Sequence, residues 1–180
     1  MLKLVKVSEK HLSAIIQAVK EYKTDTNPYR VAEINNLIDA VDHDNILFWI
    51  KQKQNEDKGI NLNPGYVAST YYLLMEGEEY IGSFQLRHEL TERLMNIGGN
   101  ISYIILPSKR QKGYAFKGLR LVLSEARKMG LDRVLITCNA KNDASFAVMT
   151  KAMKKYGGEI LPDVEIDDGF EHRVWVNTVD

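Results

Sequence analysis

The sequence predicts an α+β fold: a mixed, mostly antiparallel central sheet flanked by helices, with one β-α-β unit inside it. Three observations carry this reading. After a short opening strand, helical apolar periods occupy the N-terminal third and then give way to three strand patterns in succession; a doubly wound fold, which alternates strand and helix from its start, does not produce that order. The strand pattern at residues 101–106 passes through a turn into a long helix and then another apolar strand, which makes the β-α-β unit. With 180 residues, 44% of them hydrophobic, the chain can bury a full core, so residues 1–180 are expected to form one domain, helical over 1–65 and sheet-rich over 66–180.

Leu2, Leu4 and residues 5–7 open the chain as a strand, and Ser8 is placed as the N-cap of a first helix. Leu12, Ile15, Ile16 and Val19 share one face of that helix, which ends near Lys23. Residues 24–30, with Asp25, Asn27 and Pro28, read as a turn. A second helical period spans 31–53 through Ile34, Leu37, Ile38, Val41, Ile46 and Ile50, with a break at 42–45. Residues 52–65 are polar and hold Gly59, Pro64 and Gly65; they are expected as a mobile loop, with a flap over a substrate and an idle surface loop as the two uses of it.

Strands at 70–75 and 79–86 are joined by Glu76-Gly77-Glu78, where Gly77 can take a positive φ. Arg87-His88-Glu89 follows, and Gly98-Gly99 leads into the strand at 101–106, which Pro107 stops because it cannot donate to a sheet ladder. From Phe116 the apolar residues return at helical spacing through Leu119, Val122, Leu123, Ala126 and Met129, with Gly130 as the C-cap. Residues 133–138 form another apolar strand, and Asn142-Asp143 caps a helix that stops at Gly157-Gly158. Strands at 159–166 and 171–179 close the chain as a hairpin across 167–169.

The formal net charge is zero, which argues against broad attraction to nucleic acid or to a membrane surface. Positive charge is nevertheless concentrated: Lys109, Arg110, Lys112, Lys117 and Arg120 lie in a stretch, 108–120, that contains no acid. Three of these cations, several N–H groups and Gly113 meet where the long helix begins, which is what an anion-binding site needs. Cys138 is the only cysteine, so neither an internal disulfide nor a cysteine zinc cluster can form. No apolar run approaches the roughly 18 residues of a membrane span, and the N-terminus lacks a secretory core, so a cytoplasmic location is expected. Asp39, Asp42, His43 and Asp44 have no second histidine nearby and read as a polar helix face; no metal is expected. The acids of the final hairpin, Asp163, Glu165, Asp167, Asp168 and Glu171, either face solvent or attract a cationic acceptor.

Arg110-Gln111-Lys112-Gly113-Tyr114-Ala115, after a strand and before a helix, resembles the Arg/Gln-x-x-Gly-x-Gly/Ala turn of the GNAT N-acetyltransferase superfamily. Asn142-Asp143-Ala144-Ser145 resembles the start of that family's next helix, and Gly157-Gly158 stands where the family has Gly-Phe or Gly-Gly. With Arg87-His88-Glu89-Leu90 and Gly98-Gly99, the pattern is similar to a bacterial branch of predicted acetyltransferases over residues 72–176, and fades before residue 66. A glycine turn alone is a weak signal; its context gives it weight.

The resemblance implies acetyl-CoA as co-substrate and transfer of its acetyl group to a primary amine by direct attack in a ternary complex. The implied acceptor is a small amine or amino acid-like molecule, with a protein lysine or N-terminus as the alternative. The diphosphate would rest on the backbone N–H groups of Arg110, Gln111, Lys112, Gly113, Tyr114 and Ala115, and the pantetheine would pair with the backbone of Tyr103, Ile104 and Ile105. Asn142 and Ser145 would adjoin that arm, although Asn142 serves equally as a plain helix cap. Glu89 is the first candidate for the base that frees the amine of its proton, and His88 the second. Met149 occupies the position where relatives carry an acidic tyrosine, so Tyr103 and Tyr156 are the conceivable substitutes. That departure favours a reading from another class, a non-catalytic acyl-CoA-binding or sensing module. Cys138, at the end of an apolar strand, reads as core rather than as an acyl carrier. Nothing in the sequence sets the oligomeric state, and a homodimer is open.

Overall fold

The computed structural model describes residues 1–29, 31–167 and 169–180; Arg30 and Asp168, expected in the two turns named above, lie outside the described residues. Seven strands, β1 (Leu2–Lys6), β2 (Ser69–Glu76), β3 (Glu79–Arg87), β4 (Ile101–Ile105), β5 (Arg133–Asn139), β6 (Gly158–Ile166) and β7 (Gly169–Asn177), form one sheet in the order β1-β2-β3-β4-β5-β7-β6. Every neighbouring pair is antiparallel except β4 and β5, the parallel pair that the β-α-β unit creates. Helices α1 (Leu12–Tyr22), α2 (Ala32–Asp42) and α3 (Ile46–Asp57) cover one face, and α5 (Tyr114–Lys128) and α6 (Asp143–Tyr156) the other; the short α4 (Glu92–Asn96) precedes β4. Along β2, Tyr71, Leu73 and Met75 enter the first core, and Tyr72 and Leu74 the second. Among the described residues no helix is long and apolar enough to cross a membrane.

The helical period over 31–53 is indeed interrupted, with Asp44 at φ 53° between α2 and α3. The polar loop expected at 52–65 begins later, because α3 continues to Asp57. Its cause is Lys53, which is 5% exposed and ion-paired to Glu33 at 3.0 Å and Glu56 at 2.8 Å, so these polar residues belong to a helix contact. A 3-10 turn, Glu9–His11, stands between Ser8 and α1, and α4, capped by the Thr91 side chain, was not expected.

The feature that shapes the site is the joint between β4 and β5. They pair at Ile101 and Ile136 alone, because Asn100 takes the rung before it: its N–H donates to Leu135 O (2.7 Å) and its Oδ1 accepts from Leu135 N–H (2.8 Å). Gly99, at φ 56°, permits the approach; a Cβ there would collide with the carbonyl oxygen of Leu135. Past Ile136 the strands diverge, and the gap between them opens a cleft.

Candidate active site

At one end of the cleft lies the turn before α5. Pro107–Lys109 form a 3-10 turn, Arg110 N–H closes on Pro107 O at 3.2 Å, and Gln111 (φ 59°) and Gly113 (φ 78°) are left-handed. The helical ladder starts only when Lys117 N–H reaches Gly113 O. Among the described residues no acceptor meets the N–H groups of Gln111, Lys112, Gly113, Tyr114, Ala115 and Phe116, so the positive end of α5 is bare. Beyond its own chain neighbours, nothing in the protein lies within 4 Å of where a Gly113 Cβ would stand, so the space beside this turn is open.

The cations of this turn are engaged in holding it. Arg110 pairs with Asp25 through Nη1 (3.0 Å) and Nη2 (2.5 Å) and donates from Nε to Ile105 O (3.1 Å). Lys109 pairs with Glu79 at 2.5 Å, Lys112 Nζ donates to Ser108 O at 2.8 Å, and Tyr114 hydroxyl donates to Glu76 at 2.7 Å. The side-chain share of the anion-site expectation is thereby corrected: Arg110 is turned onto a carboxylate, and the donors left over are main-chain. Arg110→Ala should accordingly lower the melting temperature, by the equivalent of about 1.5–3 kcal/mol for a charge-assisted contact, more than it weakens cofactor binding. Thermal melts with and without acetyl-CoA check this.

A cavity of about 610 Å³ runs from the gap between β4 and β5 to the far wall made by α2 and α3. Tyr103 reaches it from β4, its ring stacked on Phe84 at 5.4 Å and its hydroxyl 3.0 Å from Ser145 Oγ. Burial raises the Tyr103 pKa well above the usual phenol value, so it stays protonated at neutral pH. Asn142 is the N-cap of α6, its Oδ1 accepting from Ser145 N–H at 3.1 Å, and both residues line the cavity. Met149 is fully buried under Ser145. Cys138 also borders the cavity, but burial pushes its thiol up to about 12, which leaves no thiolate for an acyl-cysteine route. Among the described residues no group of three or more His, Cys, Asp or Glu is arranged to hold a metal ion.

Glu89 and His88 do not line the cavity. Alternation along β3 turns Gln85 and Arg87 toward it and His88 to the opposite face, where Nε2 sits 2.8 Å from Thr70 Oγ1 in a chain that continues to Asp57 and Lys6. Burial is the main cause of the lowered His88 pKa. Glu89 is exposed.

Three carboxylates line the cavity, and Glu33 and Glu56 are both bound by Lys53; the one in no ion pair among the described residues is Glu171. It stands on β7 opposite Asn139 and is 7% exposed; Oε1 accepts from Thr137 Oγ1 at 2.7 Å, and Oε2 has no hydrogen-bond partner among the described residues. Burial raises its pKa above the usual carboxylate range, against the opposing pull of the Thr137 hydroxyl and of His172. The sequence shows Glu171 only as one acid of a polar hairpin. The signal that sets it apart, its pairing with the end of β5, is a contact between distant segments.

A family model for the acetyltransferase (GNAT) domain matches residues 2–152. Among solved structures, RimL, a ribosomal alpha-N-protein acetyltransferase in complex with coenzyme A, aligns with a TM-score of 0.69 at 16% identity, over 98% of this chain and 94% of that one. The yncA protein of Salmonella typhimurium, solved with acetyl-CoA, aligns at 0.61 and 14% identity, over 100% and 95% of the two chains. An aminoglycoside acetyltransferase in complex with coenzyme A and kanamycin aligns at 0.60 and 13%, over 98% and 95%. A comparison with curated protein sequences finds no match. The chain belongs to the GNAT acetyltransferase family, whose enzymes use acetyl-CoA as co-substrate.

Proposed function

We propose that the protein transfers the acetyl group of acetyl-CoA to the amine of a small molecule by direct attack, with Glu171 as the base that deprotonates the amine. The observation that carries this reading is a buried carboxylate with one unpartnered oxygen, in a cavity that continues into the gap between two splayed strands. Under this reading the bare N–H groups from Gln111 to Phe116 hold the diphosphate, and the backbone of Tyr103, Ile104 and Ile105, which has no β5 partner, pairs with the pantetheine. An N–H on that edge can also hold a carbonyl oxygen as it gains negative charge. Residues 1–65 supply the acceptor side, since Glu33 and Lys53 form the far wall. An amine enters as an ammonium ion, gives its proton to Glu171 Oε2, and attacks with the lone pair so freed.

Tyr103 supplies a proton toward the departing sulfur. A thiol ionises near pH 8.5, so thiolate departs readily and the loss of this donor is mild. Tyr103→Phe is therefore expected to lower kcat roughly tenfold, below the usual range for general acids, with KM for acetyl-CoA unchanged in steady-state assays. A cytoplasmic location, where acetyl-CoA and reduced thiols are found, fits the lone cysteine.

Met149 favours a second reading, acyl-CoA binding without turnover. Acetyl-CoA should raise the melting temperature under both readings. Release of CoA thiol on adding an amine panel supports the enzyme; a thermal shift with no thiol release from any amine overturns it in favour of the binder.

A further inference from the structure

Arg87 ends β3 on the cavity side. Its Nη1 donates to the carbonyls of Gly98 (3.0 Å) and Gly99 (3.1 Å), and its Nη2 reaches Gln85 Oε1 only at 3.4 Å. Among the described residues no carboxylate lies within ion-pair distance of it. A guanidinium held by neutral carbonyls is oriented but not neutralised, and it does not lose its proton in proteins. The one carboxylate whose charge acts appreciably on Arg87 is Glu33, and Glu33 is engaged by Lys53 at 3.0 Å and by the Trp49 indole N–H at 3.0 Å.

The same Gly98 that receives Arg87 on its carbonyl donates its N–H to Thr137 Oγ1 at 2.9 Å, and Thr137 donates to Glu171 at 2.7 Å. Arg87 and Glu171 are thus fixed on one wall of one cavity, joined through a single residue and a single hydroxyl. The contour is on the order of 10 Å, and the straight line is shorter. Each presents an unmatched face: a guanidinium edge at one end and a carboxylate oxygen at the other.

We propose that the acceptor is a free amino acid, its carboxylate on Arg87 and its amine at Glu171. This rests on the acetyltransferase reading and goes beyond it by naming the substrate class. A guanidinium pairs with a carboxylate through two parallel hydrogen bonds, which fixes the orientation of the molecule as well as its charge. A polyamine would leave Arg87 facing a like charge, and the two other acids at the far end, Glu33 and Glu56, are already bridged by Lys53. A peptide N-terminus carries an amide where an amino acid carries its carboxylate, and would leave the guanidinium unpaired.

The test is CoA thiol release, with product mass, from the wild-type protein given three matched series: free amino acids, their primary amides, and the decarboxylated amines with the same side chains. At least tenfold higher kcat/KM for free amino acids than for amides or amines is expected, chiefly through KM. In Arg87→Gln that preference should disappear, with kcat/KM for the amino acid falling to that of its amide, while Arg87→Lys keeps part of it. Turnover of amines, amides or peptide N-termini with no preference for a carboxylate overturns the proposal and leaves the acetyltransferase reading intact. No thiol release from any series overturns both. The wild-type comparison decides the matter even if Arg87→Gln fails to fold.

Discussion

Glu171→Gln is expected to lower kcat by roughly 10²–10⁴-fold, the range for a general base, while leaving acetyl-CoA affinity unchanged. The amide keeps an oxygen to accept from Thr137, so the hydrogen bond at 2.7 Å can persist and only the basicity is removed. The stability effect has the opposite sign to the activity effect. Burial raises the Glu171 pKa, so its stabilising contribution is complete below the ordinary carboxylate range and is lost as pH rises through the raised value. At neutral pH the ionised group opposes folding, and Gln relieves that opposition; the variant should melt no lower than the wild type. An inactive protein of equal or higher melting temperature separates a chemical role from a packing role. The pH profile gives a further check. Wild-type kcat/KM should rise with pH along a limb centred above the usual carboxylate pKa, and the variant's residual activity should lack that limb. A Glu171→Gln protein within threefold of wild-type activity would overturn the assignment.

The parts of this molecule written in local sequence were legible. The strand stopped by Pro107, the glycine before α5 and the Asn142 cap depend on residues a few positions apart, and period and turn chemistry report them directly. The phase of β3 was not legible. It is buried on both faces along most of its length, so no polar alternation shows that Arg87, and not His88, faces the cavity. The partners that decide the site are also distant in sequence. Arg110 meets Asp25 across 85 positions, and Thr137 meets Glu171 across 34. Composition reports a basic turn and an acidic hairpin; only the folded arrangement shows that Lys109 and Arg110 of the first are ion-paired and that one acid of the second is buried beside the cleft.

Gly113→Asp is expected to weaken acetyl-CoA binding by roughly 10²–10³-fold, about 3–4 kcal/mol. Gly113 is the N-cap of α5 at φ 78°, a left-handed conformation that Asp tolerates better than most residues, and beyond its chain neighbours nothing in the protein lies within 4 Å of the added Cβ. Folding should therefore change little, by about 1 kcal/mol at most. The damage falls on the ligand. A carboxylate at the residue that starts the helix stands beside the bare N–H groups and repels a doubly charged diphosphate there. Gly113→Ala adds the bulk without the charge and should lose less, so the pair of variants divides exclusion of volume from repulsion. The reading is the rise in melting temperature on adding acetyl-CoA, large for the wild type, reduced for Ala and absent for Asp, each taken from that protein's own unliganded melting point, which a side chain at positive φ lowers slightly. If Gly113→Asp retains the full rise, the amides of this turn do not hold the diphosphate, and the cofactor enters the cleft by another route.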